Sequence, residues 1–173
     1  ARASADAPPP AGSADAAERA APERLAVGEL LTGGGAARIG GALAAAGAAL
    51  RAGEPVETDT AGAALALGDL AGIWVEPHSA LSVTRGAGGG LEVGLGRGGV
   101  LVAVDPHAAG PRLAVATSLG RARAVGTVFA VRGRDRGGEV TVLAGVVRVS
   151  GSDGEWTASL ATGAVADLTA GVV

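Results

Sequence analysis

Hydrophobic and polar positions alternate with a period of two along much of the chain. The clearest run is Ala124 to Val149, AVGTVFAVRGRDRGGEVTVLAGVVRV. Thr127, Phe129 and Val131 fall on one face of a pleated strand, with Val128, Ala130 and Arg132 on the other. Phe129 is the chain's one phenylalanine, so the face that carries it is predicted to point into the core. Arg134 to Gly138 supplies a polar turn, where Asp and paired Gly accept backbone angles that β-branched residues resist. Glu139 to Leu143 begins a second arm, Gly145 interrupts it as a bulge or corner would, and Val146 to Val149 completes it.

Shorter runs of the same kind recur every 8 to 12 residues or so between glycines, the signature of an all-β domain. They predict strands at Leu25–Leu31, Ala36–Ile39, Ala44–Leu50, Val56–Thr58, Ala63–Leu67, Gly72–Val75, Ala80–Thr84, Leu91–Leu95, Val100–Val104, Arg112–Thr117 and Arg121–Val125. Glu155–Leu160 and Val165–Leu168 follow the hairpin. No strict repeat is visible, so a regular propeller or leucine-rich array is not expected. Many short strands with glycine corners fit a two-sheet sandwich or a solenoid-like roll. Residues 1–24 carry no such pattern. ADAPPPAGSADAA buries too little to offset ordering and reads as an extended or disordered linker or tether. The expected organisation is a linker over 1–24, an all-β domain over 25–168 and a tail over 169–173.

Composition narrows the picture. With 31 glycines and 2% aromatic residues, the core has to be built from Val, Leu and Ala, with Trp74, Phe129 and Trp156 as its few large pieces. Every basic residue is arginine, as the coding bias of a GC-rich genome would give. A net charge of −3 does not point to nucleic acid as a partner. The absence of cysteine removes disulfides, thiolate metal sites and cysteine nucleophiles. No apolar run approaches the roughly 20 residues that span a bilayer. With no initiator Met or signal peptide, the chain is expected to begin inside a longer product, with a membrane anchor upstream.

Few residues suggest chemistry. Gly94, Gly96 and Gly99 fit a GxGxxG string, but the β run GVLVAV follows where a phosphate site needs a helix N-terminus. A glycine corner between strands is the better reading. His78 and His107 sit in VEPHS and VDPHA, where Glu76 or Asp105 would have to help hold a metal. Acid-Pro-His-small is equally an ordinary polar turn. No serine lies in a GxSxG elbow, and no carboxylate pair stands out. The chain is therefore expected not to be an enzyme and to need no cofactor. Arg121, Arg123, Arg132, Arg134 and Arg136 cluster in sequence. Guanidinium groups grip carboxylates well, so Arg132, Arg134 and Arg136 on the hairpin are candidates for binding a partner; the plainer role is a solvated strand face.

The hairpin resembles the closing motif of the FecR domain family: a Gly-Thr-x-Phe-x-Val strand, a Val-x-Val strand, then Gly and Val-x-Val. Gly126, Thr127, Phe129 and Val131, then Val140, Val142, Gly145, Val147 and Val149 carry the match. Gly53, Val56, Thr58, Ala64, Leu65, Leu67, Asp69, Gly72, Ile73, Val75, Pro77 and Ser79 resemble the family's earlier strands. Leu70 and Ala71 separate an Asp and Gly that are usually adjacent. The resemblance spans about Leu50 to Val149. It implies a periplasmic β domain tethered to the inner membrane of a Gram-negative bacterium. The best-known members receive a signal from a TonB-dependent outer-membrane transporter and regulate an extracytoplasmic-function sigma factor. A structural or glycan-binding module of the cell envelope, with no sigma-factor role, is the alternative.

These readings predict that purified protein holds no stoichiometric zinc. Excess NAD or ATP should leave its melting temperature unchanged. A clear upward shift would contradict this, because a ligand that binds only the native state must stabilise it.

Overall fold

A computed structural model describes residues 25–33, 37–86, 89–108, 113–124, 126–134, 137–152, 154 and 156–168. The linker and the tail fall outside them. All regular structure in the described residues is β. The strands are β1 (Ala26–Thr32), β2 (Ala37–Ile39), β3 (Ala42–Leu43), β4 (Ala49–Arg51), β5 (Pro55–Thr58), β6 (Ala63–Leu67), β7 (Ala71–Val75) and β8 (Ala80–Arg85). They continue with β9 (Leu91–Val104), β10 (Leu113–Thr117), β11 (Gly120–Ala124), β12 (Val128–Arg134), β13 (Gly137–Ala144), β14 (Val146–Gly151), β15 (Thr157–Ala161) and β16 (Val165–Asp167).

Two sheets share one strand. The first runs β4-β1-β6-β7-β9-β12-β13-β16, and the second runs β3-β2-β5-β8-β9-β10-β11-β14-β15. The N-terminal half of β9 pairs with β8 and β10, and its C-terminal half pairs with β7 and β12. Every pairing is antiparallel except β9 with β10. After β9 the chain fills the sheets alternately. Hairpin β10–β11 lies in the second, β12–β13 in the first, β14–β15 in the second, and β16 returns to the first.

The alternation of the sequence places one face of each sheet in a common core. Across the first sheet, Leu65, Ile73, Val102, Phe129 and Val142 form one cross-strand row. Across the second, Val83, Val93, Val115, Ala122 and Val149 form another. All ten side chains are buried, each worth about 1.5–3 kcal/mol for a Val, Leu, Ile or Phe. Phe129 is 0% exposed, between Val102 of β9 and Val142 of β13.

Ala63–Leu67 falls where the pattern predicts it, and most other expected strands differ by one or two residues. Leu91–Leu95 and Val100–Val104 are not separate strands but the two halves of β9. Ala44–Leu50 is not one strand. Its middle is a turn in which the Gly47 N–H donates to Leu30 O at 2.7 Å and the Ala48 N–H to Ala45 O at 3.0 Å. Gly47 adopts φ +84°, the left-handed angle of a turn and not that of regular pleated backbone. The hairpin is tighter than Arg134–Gly138, since β12 runs to Arg134 and Arg134 pairs with Gly137.

Phe129→Ala is expected to destabilise the domain by about 3–5 kcal/mol, because the ring is enclosed and its loss leaves a cavity. Urea denaturation measures it. A cost below about 1 kcal/mol would contradict the buried placement.

Candidate functional site

Thr58, Ser79, Gly126, Thr127 and Gly145 of the family-like motif lie where the chain changes sheet. At the first place β9 bends through Gly98, whose φ is +78°. A Cβ there would also lie 2.7 Å from Ser79 Cα, so only glycine fits both the angle and the space. Ser79 grips the next residue. Its hydroxyl accepts the Gly99 N–H at 3.0 Å and lies 3.3 Å from Gly99 O. Thr58 holds Ser79 in turn: the Ser79 N–H donates to Thr58 Oγ1 at 2.9 Å, and that hydroxyl donates to Glu76 O at 2.6 Å. Ser79 and Thr58 are buried, where an unmade hydrogen bond is expensive.

An ion pair closes over the outer side of the same bend. Gly99 lies between Glu76 and Arg132 in the sheet, accepting the Glu76 N–H at 2.9 Å and standing opposite Arg132. With no side chain between them, Arg132 donates from Nε at 3.0 Å and from Nη2 at 2.8 Å to Glu76 Oε1. The hydrogen bond to Glu76, followed by its charge, raises the Arg132 pKa above the ordinary guanidinium value. The contribution of this raised pKa to stability is complete at neutral pH and is lost only as the guanidinium deprotonates in strong alkali.

The second place joins β11 to β12 and β13 to β14. Gly126 packs against Pro106, and the Thr127 O accepts the Val104 N–H at 2.9 Å. Gly145, at φ +88°, lets β13 end and β14 cross to the other sheet. A Cβ on Gly145 would lie 2.6 Å from Thr127 Cγ2. The Gly145 N–H is met by Thr162 Oγ1 at 3.0 Å. Thr127 Oγ1, by contrast, is buried without a hydrogen-bond partner. At this position the methyl group packs and the hydroxyl gains nothing.

The arginines that are close in sequence are divided between the two sheets. Arg132 is paired with Glu76 on the first sheet. Arg134 ends β12, and Arg136 lies outside the described residues. Arg121 and Arg123 are on β11 of the second sheet, where Arg121 Nη2 meets Glu92 Oε2 at 2.8 Å. Arg123 faces Arg148 of β14 across the strand pair.

The two histidines are also apart. His78, at φ +56°, borders a cleft of about 420 Å³ with Arg38, Glu57, Asp59 and Arg97. Its Nδ1 is 4.0 Å from Asp59 Oδ1. His107 donates its backbone N–H to Asp105 Oδ1 at 2.7 Å. It lines an open groove of about 880 Å³ with Glu29, Asp69 and Arg85. Among the described residues no three His, Asp or Glu side chains are placed to hold a metal. Gly94 and Gly96 lie within β9, and the glycine string is a bend in that strand.

Sequence reading missed the Glu76–Arg132 pair, whose members are 56 residues apart, and the role of Ser79. The usable signal for Ser79 was its place beside Thr58 in the motif set, ahead of the glycine string that reads as a corner.

Ser79→Ala is expected to cost about 1–3 kcal/mol, because it strands the buried Gly99 N–H. Thr127→Val keeps the packed methyl and removes an unpartnered hydroxyl, so its stability should lie within about 0.5 kcal/mol of the parent or above it. Chemical denaturation of both variants checks the contrast. The reverse order would contradict these assignments.

No curated protein matches the chain at a significant level. Two crystal structures of a proposed anti-sigma factor from Parabacteroides distasonis share the fold, with TM-scores of 0.54 and 0.52 at 16% identity. The match covers 65% of this chain and 58% of each of those structures, so the chain spans less than two thirds of their length. The family model described as FecR protein matches residues 54–148, from the residue after Gly53 into the first half of β14, and takes in both crossings. That match covers more than half of the chain, and the chain belongs to the FecR family.

Proposed function

We propose that this domain is the periplasmic module of a FecR-type regulator, binding a protein partner and so controlling an extracytoplasmic-function sigma factor. The family match over residues 54–148 carries the reading. Its fold likeness to a proposed anti-sigma factor agrees with it. The proposed partner is the signalling domain of a TonB-dependent transporter, and the proposed tether is an inner-membrane segment joined through residues 1–24. The domain works by binding: its buried polar side chains fix strand crossings, and its outer strands are left to meet a partner. The hairpin with Arg132, Arg134 and Arg136 is one proposed contact surface. Arg132 is already engaged by Glu76, so Arg134 and Arg136 would carry the contact.

A second reading, glycan binding in the envelope, is favoured by Trp74. This side chain is 45% exposed on the outer face of the first sheet, and its ring lies over Gly62. A flat exposed aromatic face is a platform on which a sugar ring can stack.

The test is a sigma-dependent transcriptional reporter in the bacterium that carries the gene. In-frame deletion of residues 25–168 should abolish the response to the inducing signal. Arg134→Glu with Arg136→Glu should reduce it. An unchanged response after deletion, together with retention of the purified domain on peptidoglycan that is lost in Trp74→Ala, would replace the first reading with the second.

A further inference from the structure

We propose that the outer edge of β15 receives an extended acidic segment of a partner protein as an added strand, with Arg148 reaching over Ser159 to a carboxylate on it. The inference rests on the protein-binding reading above and names the surface and the chemistry of the partner.

The two sheets end in four strands, each paired on one side among the described residues. β3, β4 and β16 have two or three residues each, and β15 has five. β15 pairs with β14 in unbroken register from Val146–Ala161 to Ser150–Thr157. Its sequence TASLA contains no charge and no proline, the devices by which exposed edges usually resist pairing. Leu160 is anchored in the core, while Thr157, Ser159 and Ala161 face outward. Such a strand offers a partner a straight row of backbone donors and acceptors.

The charge next to this edge sets the class of partner. On the outer face of the second sheet one row reads Glu92, Ala114, Arg123, Arg148 and Ser159. Arg123 and Arg148 stand directly opposite each other, a like-charge pairing that costs stability. Glu92 is held by Arg121 at 2.8 Å. No carboxylate among the described residues lies within ion-pair distance of Arg123 or Arg148. Asp153 and Glu155, in the connection before β15, are outside the described residues.

Twice elsewhere the molecule places an arginine and an acid two strands apart, with a small residue between them. Arg132 reaches Glu76 across Gly99, and Arg121 reaches Glu92 across the alanines of β10. Arg148 has the same arrangement in prospect: Ser159 is the small residue, and the third strand is the one to be supplied. An Asp or Glu at an outward position of the incoming strand completes the pattern.

The probe is a fluorescein-labelled heptapeptide of alternating Val and Asp, titrated into the purified 173-residue chain and read by anisotropy. Its counterparts replace Asp with Lys, or N-methylate every residue so that neither edge can donate to a neighbouring strand. The acidic peptide should bind. The Lys and N-methylated peptides should bind about tenfold more weakly or not at all, and Arg148→Ser should weaken the acidic peptide about fivefold. Three results would overturn the proposal: no binding of the acidic peptide, equal binding of the N-methylated peptide, or a stable dimer of the chain that occupies β15. Because the measurement uses purified protein, its failure leaves the transcriptional reading standing, and a failed reporter experiment leaves the peptide result intact.

Discussion

The fold depends on the bend of β9 at Gly98 and Gly99. A 14-residue strand that stayed straight would belong to one sheet; bent, it is the member that both sheets share. The bend needs a left-handed residue with no side chain, a buried hydroxyl to satisfy the Gly99 amide, and an outer face open enough for Glu76 and Arg132 to meet. These requirements fall on residues from β5, the β7–β8 connection, β9 and β12. They are therefore met together only when both halves of the domain are assembled. The pairings of β7 and β12 with β9, and of β8 and β10 with it, follow from that one geometry.

Small side chains are the second constraint. Valine and leucine, followed by alanine, make up nearly all of the buried core, and one phenylalanine supplies its largest piece. On the outer faces, glycine and alanine leave gaps over which long side chains from non-adjacent strands can pair. The surface ion pairs are individually weak. Their spacing nonetheless records which strands lie two apart, and it leaves Arg148 of β14 facing an edge with no ion-paired acid beyond it among the described residues.

Local patterning made much of this legible. The faces of β12 follow from Thr127, Phe129 and Val131 alternating with Val128, Ala130 and Arg132, and the observed burial has that period. The crossing at Gly145 was legible as a break but not as a change of sheet, because periodicity does not say which strand lies alongside. The continuity of β9 was hidden by its glycines, which read as a corner between two strands when they are a bend within one. In Ala44–Leu50 apolar alanines suggested a strand, and the left-handed backbone of Gly47 overrode them. The Glu76–Arg132 pair was out of reach for a different reason: it joins strands that are distant in sequence, and only the sheet order brings them together.

Native-state hydrogen exchange tests most directly whether the β9 bend holds the two sheets as one unit. The account predicts that the Gly99 amide, donated to Ser79, exchanges only through global unfolding, with the same free energy and denaturant dependence as the amides of Phe129 and Val93 in the two sheets. Exchange of Gly99 through a low-energy local opening, while Phe129 and Val93 remain fully protected, would contradict it.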